Sequence, residues 1–262
     1  MADHLIQVKP GTAELVLAGS ELAAYERVTV ASTAPELSVF LKLENWQSEK
    51  QVKLEFRLAP QTRTRVFYRI EGGAPGINSA FNLERQSHLD VFSALKNTGA
   101  AVAFDATIAQ EAEAHFTGLT QVKADEKAAV AVHVHHTEGQ NLTDQKFYSY
   151  AADTSAVTFT GRITVSPGAD GTVAHQLHRG VTLSQGARID AQPFLNIMHD
   201  DVKCTHGSTV GFIDEEAQRY LMARGIAPAE AEQILIFSSQ RQFYDALPDT
   251  KAADFFGVEV SA

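Results

Sequence analysis

The sequence predicts a mainly β protein that closes with a pair of helices. Three observations carry this. Apolar residues alternate with polar ones, at the strand period of two, up to about residue 200. Turn signals interrupt the alternation at short intervals. The last quarter then switches to capped, helix-like segments.

The strands can be taken in order. Val28-Thr29-Val30 opens the pattern. Leu37, Val39, Leu41 and Leu43 follow, with Ser38, Lys42 and Glu44 between them. Val52, Leu54, Phe56 and Leu58 alternate with Lys53, Glu55 and Arg57. Val157, Phe159, Ile163 and Val165 alternate with Thr158, Thr160, Arg162 and Thr164. Ala34-Pro35, Ala59-Pro60, Gly72-Gly73, Asn97-Thr98-Gly99 and Ser166-Pro167-Gly168 mark turns between such runs. Strands roughly 10 residues apart, with no strong helix between them, favour an all-β architecture over βαβ units. A sandwich, a barrel and a β-solenoid all fit. Gly99–Phe104 and Lys127–Val132 are rich in alanine and valine, which suits the stacked rungs of a solenoid. No strict repeat length is legible.

The helical end reads as an αα-hairpin over residues 214–238. Asp214 suits an N-cap, and Glu215 and Glu216 complement the helix dipole. Gly225 fits the left-handed position that stops the first helix, and Pro228 fits the first turn of the second. The tail from Gln240 carries Phe243, Tyr244, Leu247, Phe255 and Phe256. It is too apolar to hang free and is expected to pack on the domain or on a partner.

The 262 residues, 44% of them apolar, suffice for a real core. A net charge of −10 argues against duplex nucleic acid or an anionic membrane as the main partner. One cysteine cannot form an internal disulfide. Met1–Lys9 lacks the apolar core of a signal peptide. No apolar run approaches the ~18 residues of a membrane span. The expectation is a soluble, cytoplasmic protein.

The chemistry-bearing residues are few. Cys204 and His206 lie two apart, so in an extended segment both face one surface. A thiolate and an imidazole together suit a soft metal or sulfur species. Two ligands make a weak site, so others would have to come from elsewhere. The competing reading is an inert buried cysteine beside a turn histidine. His133 and His135 share a strand face opposite Val130, Val132 and Val134 and are candidate metal ligands, although with no third ligand identifiable a solvated polar row is the favoured reading; His175 is a further candidate, read first as an isolated polar residue. His178 is a further isolated histidine. No phosphate loop, dinucleotide fingerprint, nucleophile elbow or zinc-protease helix is present.

From Phe159 to Ile226 the residues fall into a recognisable order. They include Phe159-Thr160-Gly161-Arg162-Ile163, Ala174-His175-Gln176 and Gly180-Val181-Thr182-Leu183-Ser184. Pro193-Phe194-Leu195-Asn196-Ile197 follows, then Asp200–Gly211, Asp214-Glu215-Glu216 and Tyr220–Ile226. This block resembles the SufB/SufD family of the SUF iron–sulfur cluster assembly system, the SufD side most closely. The resemblance implies a right-handed parallel β-helix over residues 1–211 and a C-terminal α-helical subdomain over 212–262. It implies a non-catalytic scaffold for cluster assembly, with the cluster transient at a subunit interface and none tightly bound by the isolated chain. Implied partners are a SufC-type ABC ATPase and a SufB-like subunit or a second copy of the chain. Carried over by position, His206 takes the cluster-assembly role at the interface, with Cys204 as its neighbour. The hairpin, through Tyr220, Leu221, Ile234 and Leu235, becomes the ATPase dock. Against the family pattern, the chain is expected to lack most of the N-terminal helical region, and it carries Phe237-Ser238-Ser239 after the last helix motif. Two other classes compete: a metal-dependent enzyme using His133, His135 and His206 on a β-solenoid or cupin-like barrel, and a purely structural β-helix partner.

Overall fold

In a computed structural model, which describes residues 3–48 and 50–258, the chain winds into a β-solenoid of two facing parallel sheets. The odd-numbered strands form one sheet, from β1 (His4–Val8) to β15 (Arg188–Ile197). The even-numbered strands form the other, from β2 (Glu14–Ala18) to β16 (Val202–Phe212). Each sheet has eight strands, so two strands make one coil and eight coils stack. A single helical turn, α1 (Gly19–Leu22), sits in the first coil.

The solenoid explains the missing repeat, because its coils differ in length. Early coils are short, carrying the chain from His4 to its stacked partner Val28, or from Leu54 to Ser79. Later coils are longer, running from Val132 to Gly161 and from Gly161 to Pro193. The pleat fixes which side chains point inward, and the turns absorb the variation.

Register stacks like positions into columns that run along the solenoid. On the inner face of the even sheet, Val39, Val66, Val91 and Phe116 form one buried column. The same column continues through Gln145 and Gln176 to His206. The interior thus turns from apolar to polar toward its last coils. The Gln176 amide donates to the Gln145 carbonyl at 2.9 Å, while Gln145 Nε2 and Gln176 Oε1 are buried without a partner. His178 is fully buried between Ser149 (3.0 Å) and Ser208 (3.3 Å), with its ring stacked on Phe159 at 4.7 Å. His136 is equally buried, against Asn141 (3.0 Å) and Thr143 (3.1 Å).

One corner of the solenoid is built from left-handed residues. Gln61, Gln86, Glu111 and Gln140 have φ of 59°, 58°, 58° and 60°. That conformation costs a side-chain-bearing residue free energy unless its surroundings hold it. Here each corner N–H donates to a carbonyl of the next coil, as Gln140 does to Asp170 at 2.7 Å. The side chains add a ladder: the Gln61 amide donates to Gln86 and the Gln86 amide to Glu111.

After β16 come α2 (Glu215–Met222), α3 (Pro228–Tyr244) and α4 (Thr250–Phe255). The Asp214 carboxylate caps α2, accepting from the N–H groups of Glu216 and Ala217. Gly225, at φ +89°, turns the chain between α2 and α3. The second helix runs to Tyr244, past residue 238, because the apolar side chains through Phe243 still find a surface to bury against. That surface is the outer face of the even sheet. Phe243 and Phe256 pack there with Phe40, Phe67, Phe92, Leu119 and Tyr148. Arg69 donates to the Phe255 carbonyl at 2.9 Å, and the Tyr148 hydroxyl donates to Gln242 at 3.1 Å. No helix among the described residues is long and apolar enough to cross a membrane.

Candidate functional site at the last coil

β16 is the end of its sheet, and its register fixes what it presents. On β14 (Thr172–Thr182), Ala174, Gln176 and His178 all point into the solenoid and are buried. Their partners on β16 are Cys204, His206 and Ser208, which therefore project to the same side. No coil follows among the described residues, so His206 is exposed and Cys204 only half-buried. Cys204 packs with Leu195 and Val202 against Ile163, Val165, Ala169 and Ala174. Burial pushes its thiol pKa up, partly offset by a backbone hydrogen bond from Ala174. At neutral pH Cys204 is a thiol and not a thiolate.

The rim of this end is apolar. Phe194, Ile197 and Met198 are exposed on and beside β15, and Val210 and Phe212 on β16, the latter 71% exposed. Strand edges of this kind offer a row of unpaired backbone groups to another chain.

The remaining histidine candidates do not converge. His133 and His135 lie on β11 (Lys127–His136) with their rings outward from the odd sheet. Their Nε2 atoms meet Thr164 at 3.0 Å and Ser166 at 2.8 Å. His175 faces outward from the opposite sheet, its Nδ1 2.7 Å from Thr205. The set His133, His135 and His175 is therefore split between two walls, and His206 belongs to the inner face of one of them. They lie apart because β11 belongs to the odd sheet and β14 to the even one. Among the described residues, three metal-ligating side chains come together only at His88, Asp90 and His115. Sequence reading missed them. The available signal was spacing: His88-x-Asp90 and Glu113-x-His115 are offset by one coil.

The hairpin divides its candidate residues. Tyr220 and Ile234 are exposed, whereas Leu221 and Leu235 are half-buried. Met222 and Phe237 are exposed too. Arg224 lies 3.5 Å over the Tyr220 ring.

Residues 77–239, more than half the chain, match the family model described as SUF system FeS cluster assembly, SufBD core domain. The chain belongs to this SufBD family. The match begins in the middle coils and ends within α3, so it covers β16 and the hairpin. The chain is 34% identical to the iron–sulfur cluster assembly protein SufD of Escherichia coli over 114 residues, 44% of this chain and 27% of that protein. It is 38% identical to Bacillus subtilis SufD over 96 residues, 37% of this chain and 22% of that one. A SufBD family iron–sulfur cluster assembly protein of Synechocystis is 32% identical over 115 residues, 44% and 25% of the two chains. The matched segments span about a quarter of these curated relatives.

Proposed function

We propose that this SufBD family member is a SufD-like, non-catalytic scaffold subunit for iron–sulfur cluster assembly. In this reading it joins a SufB-like subunit, or a second copy of itself, through its last coil. A SufC-type ABC ATPase docks on the helical hairpin and supplies ATP hydrolysis. The nascent cluster is cargo.

The observation that carries the proposal is the open last coil. It offers His206 and Cys204 between two strand edges that are unpaired among the described residues and rimmed by Phe194, Val210 and Phe212. A histidine and a single thiol are half of a metal–sulfur site. An isologous or pseudo-symmetric partner seated on the same edge would bring the other half. His206 has the exposure such a role needs. Cys204, packed and protonated, serves the edge more than the cluster. On the hairpin, the side chains free to contact an ATPase are Tyr220, Met222, Ile234 and Phe237, with Leu221 and Leu235 supporting them from beneath.

Co-purification under reducing conditions tests the partners, and mass measurement of the isolated protein separates homodimer from heterodimer. His206→Ala should leave the complex intact while lowering cluster assembly. Should His206→Ala assemble clusters normally, the protein is a structural partner only. Should the wild type bind neither a SufB-like chain nor an ABC ATPase, the scaffold reading falls.

A further inference from the structure

We propose a second, separate site on this chain: a divalent transition-metal site on the outer face of the even sheet, formed by His88, Asp90 and His115. It lies outside the last coil and stands on geometry alone, independent of the scaffold reading.

Two neighbouring strands build it, β8 (His88–Lys96) and β10 (Glu113–Val122). In the parallel register, Glu113 sits beside His88 and His115 beside Asp90. Residues two apart face the same way, so four donor-bearing side chains occupy one small rectangle. One ligand atom from each of His88, Asp90 and His115 lies within 4.8 Å of the other two. The rings of His88 and His115 are 5.2 Å apart.

The contacts around His88 can accommodate a cation at the centre. His88 Nε2 is 2.9 Å from Asp90 Oδ1, and His88 Nδ1 is 3.0 Å from Glu113 Oε2. Glu113 Oε2 also lies 4.0 Å from His115 Nε2. An imidazolium, with two N–H groups, serves both carboxylates, whereas a neutral ring with its N–H toward Glu113 turns the Nε2 lone pair toward Asp90. A metal taking the position of the proton between His88 and Asp90 satisfies both, leaving Nδ1–H to Glu113. That carboxylate then acts as the outer partner that orients a metal-bound histidine. Arg63 holds Asp90 Oδ2 at 2.9 Å, which fixes the carboxylate and leaves Oδ1 turned to the histidines. Two imidazoles and one carboxylate select zinc, cobalt or ferrous iron over magnesium or calcium.

Cobalt(II) is the probe. Titrated into the purified full chain, it should give one saturating set of d–d bands without thiolate charge transfer, and zinc should displace it. His88→Gln and His115→Gln should each weaken cobalt binding at least about tenfold, with far-UV circular dichroism unchanged. His133→Gln and the Cys204→Ser, His206→Ala pair should bind as the wild type does. Zinc should raise the melting temperature of the wild type and not of the His88→Gln, His115→Gln double variant. The proposal is overturned if the wild type binds cobalt no better than that double variant. It is equally overturned if binding is lost on Cys204→Ser, His206→Ala and kept in the double variant.

Discussion

Lowering the pH should weaken this fold through two buried histidines, and the size of the effect can be worked out. His178 and His136 are fully buried, and burial holds each pKa at about 4, against 6.5 for a free ring. The serines around His178 can donate or accept, so hydrogen bonding tolerates either protonation state. The stacked Phe159 ring mildly favours the imidazolium. Desolvation wins over both. Folding thus lowers proton affinity, so the unfolded chain binds protons more tightly. The stability from these groups is complete above about pH 6.5 and drains away as the pH falls toward 4. The gap limits the loss to about 3 kcal/mol per histidine, with about 2 kcal/mol gone by pH 5. Together they remove about 4 kcal/mol at pH 5, a large part of a domain's usual 5–15 kcal/mol. Urea unfolding at pH 7 and pH 5 measures this for wild type, His178→Gln, His136→Gln and the double variant. Each replacement lowers stability at pH 7 but should remove about 2 kcal/mol from the difference between the two pH values. If all four proteins show the same difference, burial does not govern these rings and the reasoning fails.

Gly161→Ala should destabilise by about 1–3 kcal/mol, since its Cβ would collide with the Gln176 amide and touch Phe159; unchanged denaturant stability would contradict the packing described. Phe243→Ala should cost about 3–5 kcal/mol of local stability. Hydrogen exchange should then quicken in α3 and α4 while the strand ladders stay protected. Cys204 should react with iodoacetamide more slowly than a free model thiol at pH 7 and speed up as the pH rises, since burial raises its pKa. Disrupting the rim with Phe212→Asp should abolish self-association or pairing with a SufB-like chain, as read by sedimentation.

Much of the fold was legible because strands have a period of two. Leu37, Val39, Leu41 and Leu43 announce an inward face whatever the architecture. The solenoid was not legible from periodicity, because the coils lengthen along the chain, from the His4-to-Val28 step to the Gly161-to-Pro193 step. Only the resemblance singled it out. The site divides the same way. Cys204 and His206 share a face through local spacing. Which wall His133 and His175 occupy depends on coil count. His88, Asp90 and His115 meet only through a register one full coil long, which no local window contains.

The C-terminal helices lie lengthwise across the coils. Their aromatic side chains reach from Phe40 in the second coil, through Phe67, Phe92 and Leu119, to Tyr148 in the sixth. At about 4.8 Å per coil, that contact spans about 19 Å. A bare solenoid is a one-dimensional array in which each coil feels only its neighbours and can fray one rung at a time. A strut fastened at both ends couples distant rungs, so opening any coil beneath it also releases aromatic contacts elsewhere. The strut also fixes the coil number. Removing residues 77–101 would join Gly76 to Val102, which already stacks on Ile77, and leave the register intact. The shortened stack would no longer match the helices above it, and melting would change from one cooperative transition to a stepwise one.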